Sequence, residues 1–166
     1  ESSPSGFFPA EFAFHKDWFK LRDTSAQQAV TIRRRIARQT EGKITMEMRW
    51  MLPGPLDGAA WQLRDLDEAA VSLVASAGHL CYQTSDQSLP LAPLELNHEY
   101  GIRIDADLGA QTATIYIDGE LKAQAVPFAR PVRSLDYVLI KTGDASMGEM
   151  FLPLVRIWKG YGVCET

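Results

Sequence analysis

The chain has few of the residues from which catalytic and metal sites are usually built. Its 166 residues include two cysteines and three histidines, and no apolar run approaches the ~20 residues of a membrane helix. Cys81 and Cys164 are too far apart for a zinc knuckle or a redox Cys-x-x-Cys motif. We recognise no secretory signal peptide. The net charge of −4 argues against nucleic acid or an anionic membrane as a general partner.

The length and composition fit one globular domain. A chain of this size buries roughly 70% of its unfolded surface, so it needs neither a metal nor a disulfide to hold a core. The opening Glu-Ser-Ser-Pro-Ser-Gly is typical of a linker. We predict a linker or domain boundary over residues 1–6, a single domain over residues 7–162 and a tail over residues 163–166. Cys81 and Cys164 form either a disulfide that ties down the tail or two free thiols.

Alternation of apolar and polar residues predicts β-strands along most of the chain. Residues 100–126 predict three antiparallel strands, and Asp118-Gly119 is a favoured type I′ hairpin pair. Residues 56–74 also have helical spacing, but Gly58 and the acidic turn that follows favour strands. Further strands are predicted at residues 30–36, 43–51, 61–64, 71–76, 79–82, 137–141 and 152–159, with loops at residues 85–93 and 142–148.

These short strands predict an all-β fold, a two-sheet antiparallel jelly-roll sandwich. One parity of each strand is apolar and should face the core, and the other should face solvent. The predicted core residues are Ile44, Met46, Met48, Trp50, Trp61, Leu63, Val71, Leu73, Tyr100, Ile102, Ile104, Ile115 and Ile117. The run Arg33-Arg34-Arg35 with Arg38 alternates between faces, so we interpret it as a solvated edge strand protected by charge.

Three segments resemble the concanavalin A-like or laminin-G-like jelly rolls. The strand Gly-Lys-Ile-Thr-Met-Glu-Met-Arg-Trp at residues 42–50 looks like the strand that opens their core. The meander through Ile-Tyr-Ile-Asp-Gly at residues 115–119 looks like their signature hairpin, and residues 135–159 resemble their closing strands. Such domains occur as ancillary modules of carbohydrate-active enzymes. The resemblance is informative about fold and says little about function, because this fold carries many functions.

The resemblance implies a glycan-binding surface on the outer face of one sheet. Arginines give multidentate hydrogen bonds and aromatic rings stack on sugars. The alternative is that these are ordinary solvated positions spread over two sheets. The candidate residues on outward parity are Arg49, Gln62, Arg64, Arg103, Tyr116, Arg156 and Trp158.

Metal binding and catalysis have weaker signals. The resemblance raises the possibility of a structural calcium, although no spacing matches a calcium loop; the candidate oxygen ligands are Asp105, Asp107, Asp118, Asp144 and Glu149. Hairpin chemistry alone explains the turn aspartates. We find no paired-carboxylate strand, no Gln-Ile-His or Gln-Val-His tripeptide and no nucleophile elbow, and we assign no catalytic residue.

The sequence therefore predicts a non-catalytic carbohydrate-binding or ancillary module of a larger secreted protein. Its expected partners are a glycan or polysaccharide and a fused catalytic domain, and its expected location is extracellular or in the cell envelope. Two alternatives stay open. One is a structural or protein-interaction domain of the laminin-G type, and the other is a small glycoside hydrolase or polysaccharide lyase with an unfamiliar site.

Overall fold

The computed structural model describes residues 10–15, 18–23, 31–52, 57–142, 148–152 and 155–159, with side chains over residues 31–52 and 57–142. Within these ranges, no helix is long and apolar enough to span a membrane. The strands in chain order are β1 (Ala10–His15), β2 (Trp18–Asp23), β3 (Thr31–Gln39), β4 (Lys43–Trp50), β5 (Ala60–Arg64), β6 (Ala69–Ser76), β7 (His79–Gln83), β8 (Ser88–Pro93), β9 (Tyr100–Asp107), β10 (Thr112–Ile117), β11 (Glu120–Pro127), β12 (Leu135–Lys141), β13 (Gly148–Leu152) and β14 (Val155–Lys159).

Two larger antiparallel sheets enclose one hydrophobic core. The five-stranded sheet has the order β11-β10-β9-β4-β14, and the six-stranded sheet has the order β3-β12-β5-β6-β7-β8. A buried cluster takes side chains from both sheets, which confirms the predicted sandwich. A third, small sheet of order β1-β2-β13 was not predicted, although Phe19-Lys20-Leu21-Arg22 alternates apolar and polar residues.

The core consists of the residues that strand parity assigns to it. All the predicted core residues belong to the buried cluster. Trp50 on β4 and Trp61 on β5 are 1% and 0% exposed and belong to different sheets. Period-2 alternation is sufficient to find these positions because each strand buries one face.

The meander of β9, β10 and β11 forms as predicted. Asp118 and Gly119 have φ values of 52° and 81°, the left-handed conformation that a type I′ turn requires at both central positions. Residues 56–74 form the hairpin of β5 and β6, which confirms strands over a helix. The arginine run lies on β3, at an edge of the six-stranded sheet, and Arg33, Arg34 and Arg35 are exposed.

A tyrosine links the two sheets at one end of the core. Tyr82 on β7 is 2% exposed, and its hydroxyl donates to the carbonyl of Pro127 on β11 at 2.6 Å. Burial raises the pKa of Tyr82 to about 12, so the hydroxyl stays protonated and donates this hydrogen bond throughout the physiological range.

Two predicted boundaries are wrong. The predicted loop at residues 85–93 contains β8, whose two prolines are tolerated because β8 is the other edge of the six-stranded sheet. The predicted last strand at residues 152–159 is instead two strands in different sheets, β13 and β14. Pro153 explains the break, since proline interrupts a strand ladder.

Candidate functional site

The outer face of the six-stranded sheet brings together polar and aromatic side chains from four adjacent strands. Tyr137 on β12 lies opposite Arg64 on β5, and Gln62 lies opposite Ser72 on β6. Arg33 on β3 lies opposite Leu139, one pleat from Tyr137. Each has at least one sequence neighbour in the core, such as Ile32, Leu63 or Val138, so these side chains lie on the outward parity. We call Arg33, Gln62, Arg64, Ser72 and Tyr137 the Arg64 cluster.

Hydrogen bonds connect the cluster through Arg64. Its Nε donates to the Tyr137 hydroxyl at 3.1 Å, Nη1 donates to Gln62 Oε1 at 2.7 Å, and Nη2 donates to the Asp67 carbonyl at 2.9 Å. The Gln62 amide in turn donates to Ser72 Oγ at 3.3 Å. The half-buried guanidinium is therefore held in one orientation by neutral acceptors.

Two guanidinium groups share one aromatic ring. The Arg33 and Arg64 guanidinium carbons lie 5.3 and 5.9 Å from the centroid of the Tyr137 ring. These distances are in the range of cation–π contacts. Tyr137 is 6% exposed, so its ring mainly positions the two arginines and offers little stacking surface of its own.

Register irregularities lie next to the two central residues. The pairing of β5 with β6 shifts between Leu63 and Arg64, and the pairing of β12 with β3 shifts between Leu135 and Tyr137. Such bulges bend a strand and change where a side chain is aimed, and they are frequent beside binding sites. Sequence alternation alone gives no sign of them.

This face has basic residues and no acidic ones. On the paired outward positions of β3, β12, β5 and β6 no Asp or Glu occurs, and the basic residues there are Arg33, Arg35, Arg64 and Lys141. Among the residues whose side chains are described, no carboxylate forms an ion pair with Arg33 or Arg64. The paired outward positions therefore hold basic and neutral residues, whereas Asp65, Asp67 and Glu68 lie in the turn that follows Arg64.

The two arginines of the five-stranded sheet whose side chains are described, Arg49 and Arg103, are neutralised internally. Arg103 Nε donates to Asp105 at 3.0 Å, and its guanidinium lies 5.6 Å from the Tyr116 ring centroid. Asp105 is 5% exposed and also accepts a hydrogen bond from Thr45 Oγ1 at 2.9 Å. Arg49 is paired with Glu99 at 2.6 Å.

The candidate residues thus divide between the two sheets. Gln62 and Arg64 belong to the Arg64 cluster, whereas Arg49, Arg103 and Tyr116 lie on the five-stranded sheet. Register places Arg156 and Trp158 of β14 opposite Glu47 and Thr45 in that same sheet, and their side chains lie outside the described part. The sequence analysis grouped these positions as one candidate surface because parity does not say which sheet a strand joins.

Sequence reasoning missed three members of the cluster. Tyr137 alternates with the core residues Val138 and Ile140, and Arg33 alternates with Ile32, so parity could have assigned both to the outer face. Ser72 is small and carried no distinguishing signal. The sequence does not show the strand order, which places β3, β12, β5 and β6 side by side.

The described calcium candidates have structural partners. Asp105 binds Arg103 and Thr45, and the Asp107 carboxylate accepts from the Ala110 amide at 3.1 Å. No group of three or more His, Cys, Asp or Glu side chains with metal-site geometry occurs in the described ranges. Asp144 and the side chain of Glu149 lie outside them. A structural calcium has no support from these residues.

The two cysteines and the hairpin aspartate were also singled out by the sequence. Cys81 is a buried free cysteine, and Cys164 lies outside the described residues, so a bridge between them has no support here.

Asp118 does more than form a turn, because its Oδ1 accepts from the Gly101 amide at 2.8 Å. Its Oδ2 lies 2.8 Å from His98 Nε2.

The His98–Asp118 pair makes stability depend on pH. The hydrogen bond to Asp118 raises the pKa of His98 above its ordinary 6.5. Burial works to raise the pKa of Asp118, but hydrogen bonds from His98 and Gly101 outweigh it and lower the pKa below 3.8. The stability that His98 contributes is therefore complete below pH 6.5 and is lost as pH rises through the raised pKa of His98. The stability that Asp118 contributes is lost as pH falls through the lowered pKa of Asp118.

We expect His98→Gln to destabilise the protein more at about pH 5 than at about pH 8.5. Urea unfolding of wild type and variant at both pH values measures the difference. His79→Gln is the matched control, because His79 is also exposed and contacts only a backbone carbonyl. A destabilisation that is equal at the two pH values contradicts the pairing.

Comparisons with known proteins establish the architecture. No protein-family model and no curated protein sequence matches the chain. A solved sialidase structure aligns with TM-score 0.84 at 13% identity, over 95% of this chain and 17% of the sialidase. The chain thus spans about one sixth of the length of the sialidase. The fold is a concanavalin A-like jelly roll.

Two further structures match over most of their own length. Alginate lyase AlgAT5 of polysaccharide lyase family 7 aligns with TM-score 0.66 and 16% identity, over 90% of this jelly roll and 82% of the lyase. The carbohydrate-binding module CBM66 from Bacillus subtilis aligns with TM-score 0.61 and 15% identity, over 94% of both chains. At these identities the comparisons show the fold alone.

Proposed function

We propose that this jelly roll is a non-catalytic carbohydrate-binding module that binds glycans on the outer face of its six-stranded sheet. The observation that carries the proposal is the Arg64 cluster, in which a fixed guanidinium, an amide and two hydroxyls lie on adjacent strands of one face. Hydroxyl and amide groups of this kind recognise sugar hydroxyls, and an arginine held in place loses little entropy on binding.

The similar structures support this proposal without testing it. CBM66, which is named as a carbohydrate-binding module, aligns over 94% of both chains. The sialidase match covers a minor part of a larger protein, as expected for an accessory domain. We further propose that the chain belongs to a secreted polysaccharide-active protein, where it raises the effective concentration of a catalytic partner near its substrate.

The cluster itself favours binding over glycoside hydrolysis. Its members carry no carboxylate and no histidine, whereas glycoside hydrolysis by the usual route needs two carboxyl groups flanking the bond. The two arginines of the five-stranded sheet whose side chains are described offer less to a ligand, because Arg49 and Arg103 are already paired with Glu99 and Asp105.

We expect Arg64→Ala to weaken glycan binding by about tenfold, because a charge-assisted hydrogen bond contributes about 1.5–3 kcal/mol. Affinity electrophoresis against a panel of soluble polysaccharides identifies ligands, and titration calorimetry measures the change. Arg64→Ala also removes the contacts to Tyr137 and Gln62, so the melting temperature is measured alongside, and Tyr137→Phe, which removes only the hydroxyl, tests the same contact with the ring in place.

Arg49→Ala is the matched control, because Arg49 is an exposed arginine on the opposite sheet. It should leave affinity unchanged. Weaker binding in Arg49→Ala with unchanged binding in Arg64→Ala would move the site to the five-stranded sheet. The absence of binding to every polysaccharide in the panel would contradict the function itself.

A further inference from the structure

The Arg64 cluster has a positive charge that no described carboxylate neutralises. Arg33 and Arg64 both lie against Tyr137, and the outward positions around them on β3, β12, β5 and β6 hold no acidic residue. Arg33 and Arg64 lie on the two strands that flank β12, so an anion bound between them would be attracted by both charges. A neutral sugar would gain nothing from this attraction.

The geometry of Arg64 suits an anion with two oxygens. A guanidinium has five N–H donors, and Nε and one hydrogen each of Nη1 and Nη2 are used within the protein. One N–H on each terminal nitrogen is left for a ligand. Guanidinium N–H groups left in this way bind anionic oxygens through charge-assisted hydrogen bonds. The Tyr137 hydroxyl, which accepts from Arg64, also has its own hydrogen to donate.

The position of Arg33 adds a second anion-binding group beside the first. Arg33 is exposed, and among the described side chains its recorded contact is the Tyr137 ring. On β3 it lies on the outer face, whereas Arg34 pairs with the core residue Val138 and lies on the other parity. The arginine run that was interpreted as edge protection therefore has one member that also belongs to the cluster.

We propose that the ligand of this face is an acidic glycan. Its carboxylates are bound by Arg33 on β3 and Arg64 on β5, the two strands that flank β12. This inference rests on the proposed glycan-binding function and specifies its substrate class. The shared chemistry is an anionic oxygen group on a sugar polymer, which either a uronate carboxylate or a sulfate ester could supply. Guanidinium N–H groups bind either kind of oxygen, and we take the uronate carboxylate as the proposed ligand.

The experiment compares charged and uncharged forms of one polymer. Polygalacturonate is titrated into the full chain in parallel with its fully methyl-esterified form, and dextran sulfate is titrated in parallel with plain dextran. We expect polygalacturonate to bind at least about tenfold more tightly than its methyl ester. Its binding should weaken as the Debye length falls from about 10 Å at 0.1 M salt to about 3 Å at 1 M.

Three variants separate a built site from general attraction to polyanions. Arg33→Gln and Arg64→Gln should each reduce polygalacturonate affinity by about tenfold. Arg34→Gln removes the same charge from the same strand on the other parity and should change it little. Polygalacturonate should also raise the melting temperature of wild type, and it should raise that of Arg33→Gln by less. Arg33 is exposed, so Arg33→Gln should fold normally, and a smaller rise reports weaker binding.

Each contrary result has a distinct meaning. Equal binding of polygalacturonate and its methyl ester, weakened alike by Arg64→Gln, would overturn the acidic ligand and leave the glycan-binding function standing. Tight, Arg33-dependent binding of dextran sulfate with weak binding of polygalacturonate would overturn the carboxylate in favour of sulfate. An effect of Arg34→Gln as large as that of Arg33→Gln would overturn the site, and loss of binding to all sugars would overturn the function as well.

Discussion

Trp61→Ala is expected to lower the free energy of unfolding by about 3–5 kcal/mol. Trp61 is fully buried on β5 and belongs to the cluster shared by the two sheets. Alanine would leave a cavity that a rigid sandwich cannot fill, so the loss includes both transfer free energy and the cavity cost. Denaturant unfolding followed by tryptophan fluorescence and circular dichroism measures it.

Trp61→Phe is the control that separates ring volume from the indole nitrogen. The Trp61 Nε1 is buried and has no hydrogen-bond partner among the described residues. Phenylalanine therefore removes part of the volume without breaking a hydrogen bond, and its cost should be about 1–2 kcal/mol. A cost for Trp61→Phe equal to that for Trp61→Ala would show that packing of the benzene ring contributes little.

Asp105→Ala is expected to destabilise the protein by about 2–3 kcal/mol. The carboxylate is almost fully buried and binds both Arg103 and Thr45. Removing one partner of a buried ion pair leaves the other charge unpaired, which costs about 3–5 kcal/mol when both are inaccessible. The Arg103 side chain is 29% exposed, so water compensates part of that cost.

A double-variant cycle tests the assignment to the ion pair. Asp105→Leu combined with Arg103→Met removes both charges and should be more stable than Asp105→Ala, because no partly buried charge is left without a counterion. Additive losses in the double variant would mean that Asp105 acts mainly through Thr45. Glycan binding should be unchanged throughout, since both residues lie on the five-stranded sheet.

The sequence predicted the parts of this fold that depend on one strand at a time. The apolar parity of residues 43–51 and 100–117 placed every assigned residue in the core, and Asp118-Gly119 identified the hairpin turn. These features are local, because alternation and turn chemistry act between near neighbours. The single jelly-roll domain over residues 7–162 stays a prediction.

The candidate site was only half predictable because it depends on strand order. Gln62 and Arg64 were assigned correctly to an outward face, but nothing local showed that Tyr137 and Arg33 would lie beside them. Charge pairing could be read only in part from the sequence: Arg103 and Asp105 are two residues apart on one parity, whereas only the fold shows that no described acid pairs with Arg64. The edge strand β8 was missed because its position depends on strand order, while Pro153 was a local sign of the break between β13 and β14.

The shifted pairings beside Arg64 and Tyr137 also determine how far this surface can be altered. A strand with a fixed bulge cannot slide along its neighbour without moving that bulge, so alignment survives changes of side chain. Neighbouring strands are about 4.8 Å apart and successive outward residues about 6.6 Å apart, which makes the face a grid with set spacings. Residues 33, 35 and 62, whose side chains are exposed or half-buried, are therefore suitable positions for a randomised library, from which proteins with new sugar preferences could be selected on an unchanged framework.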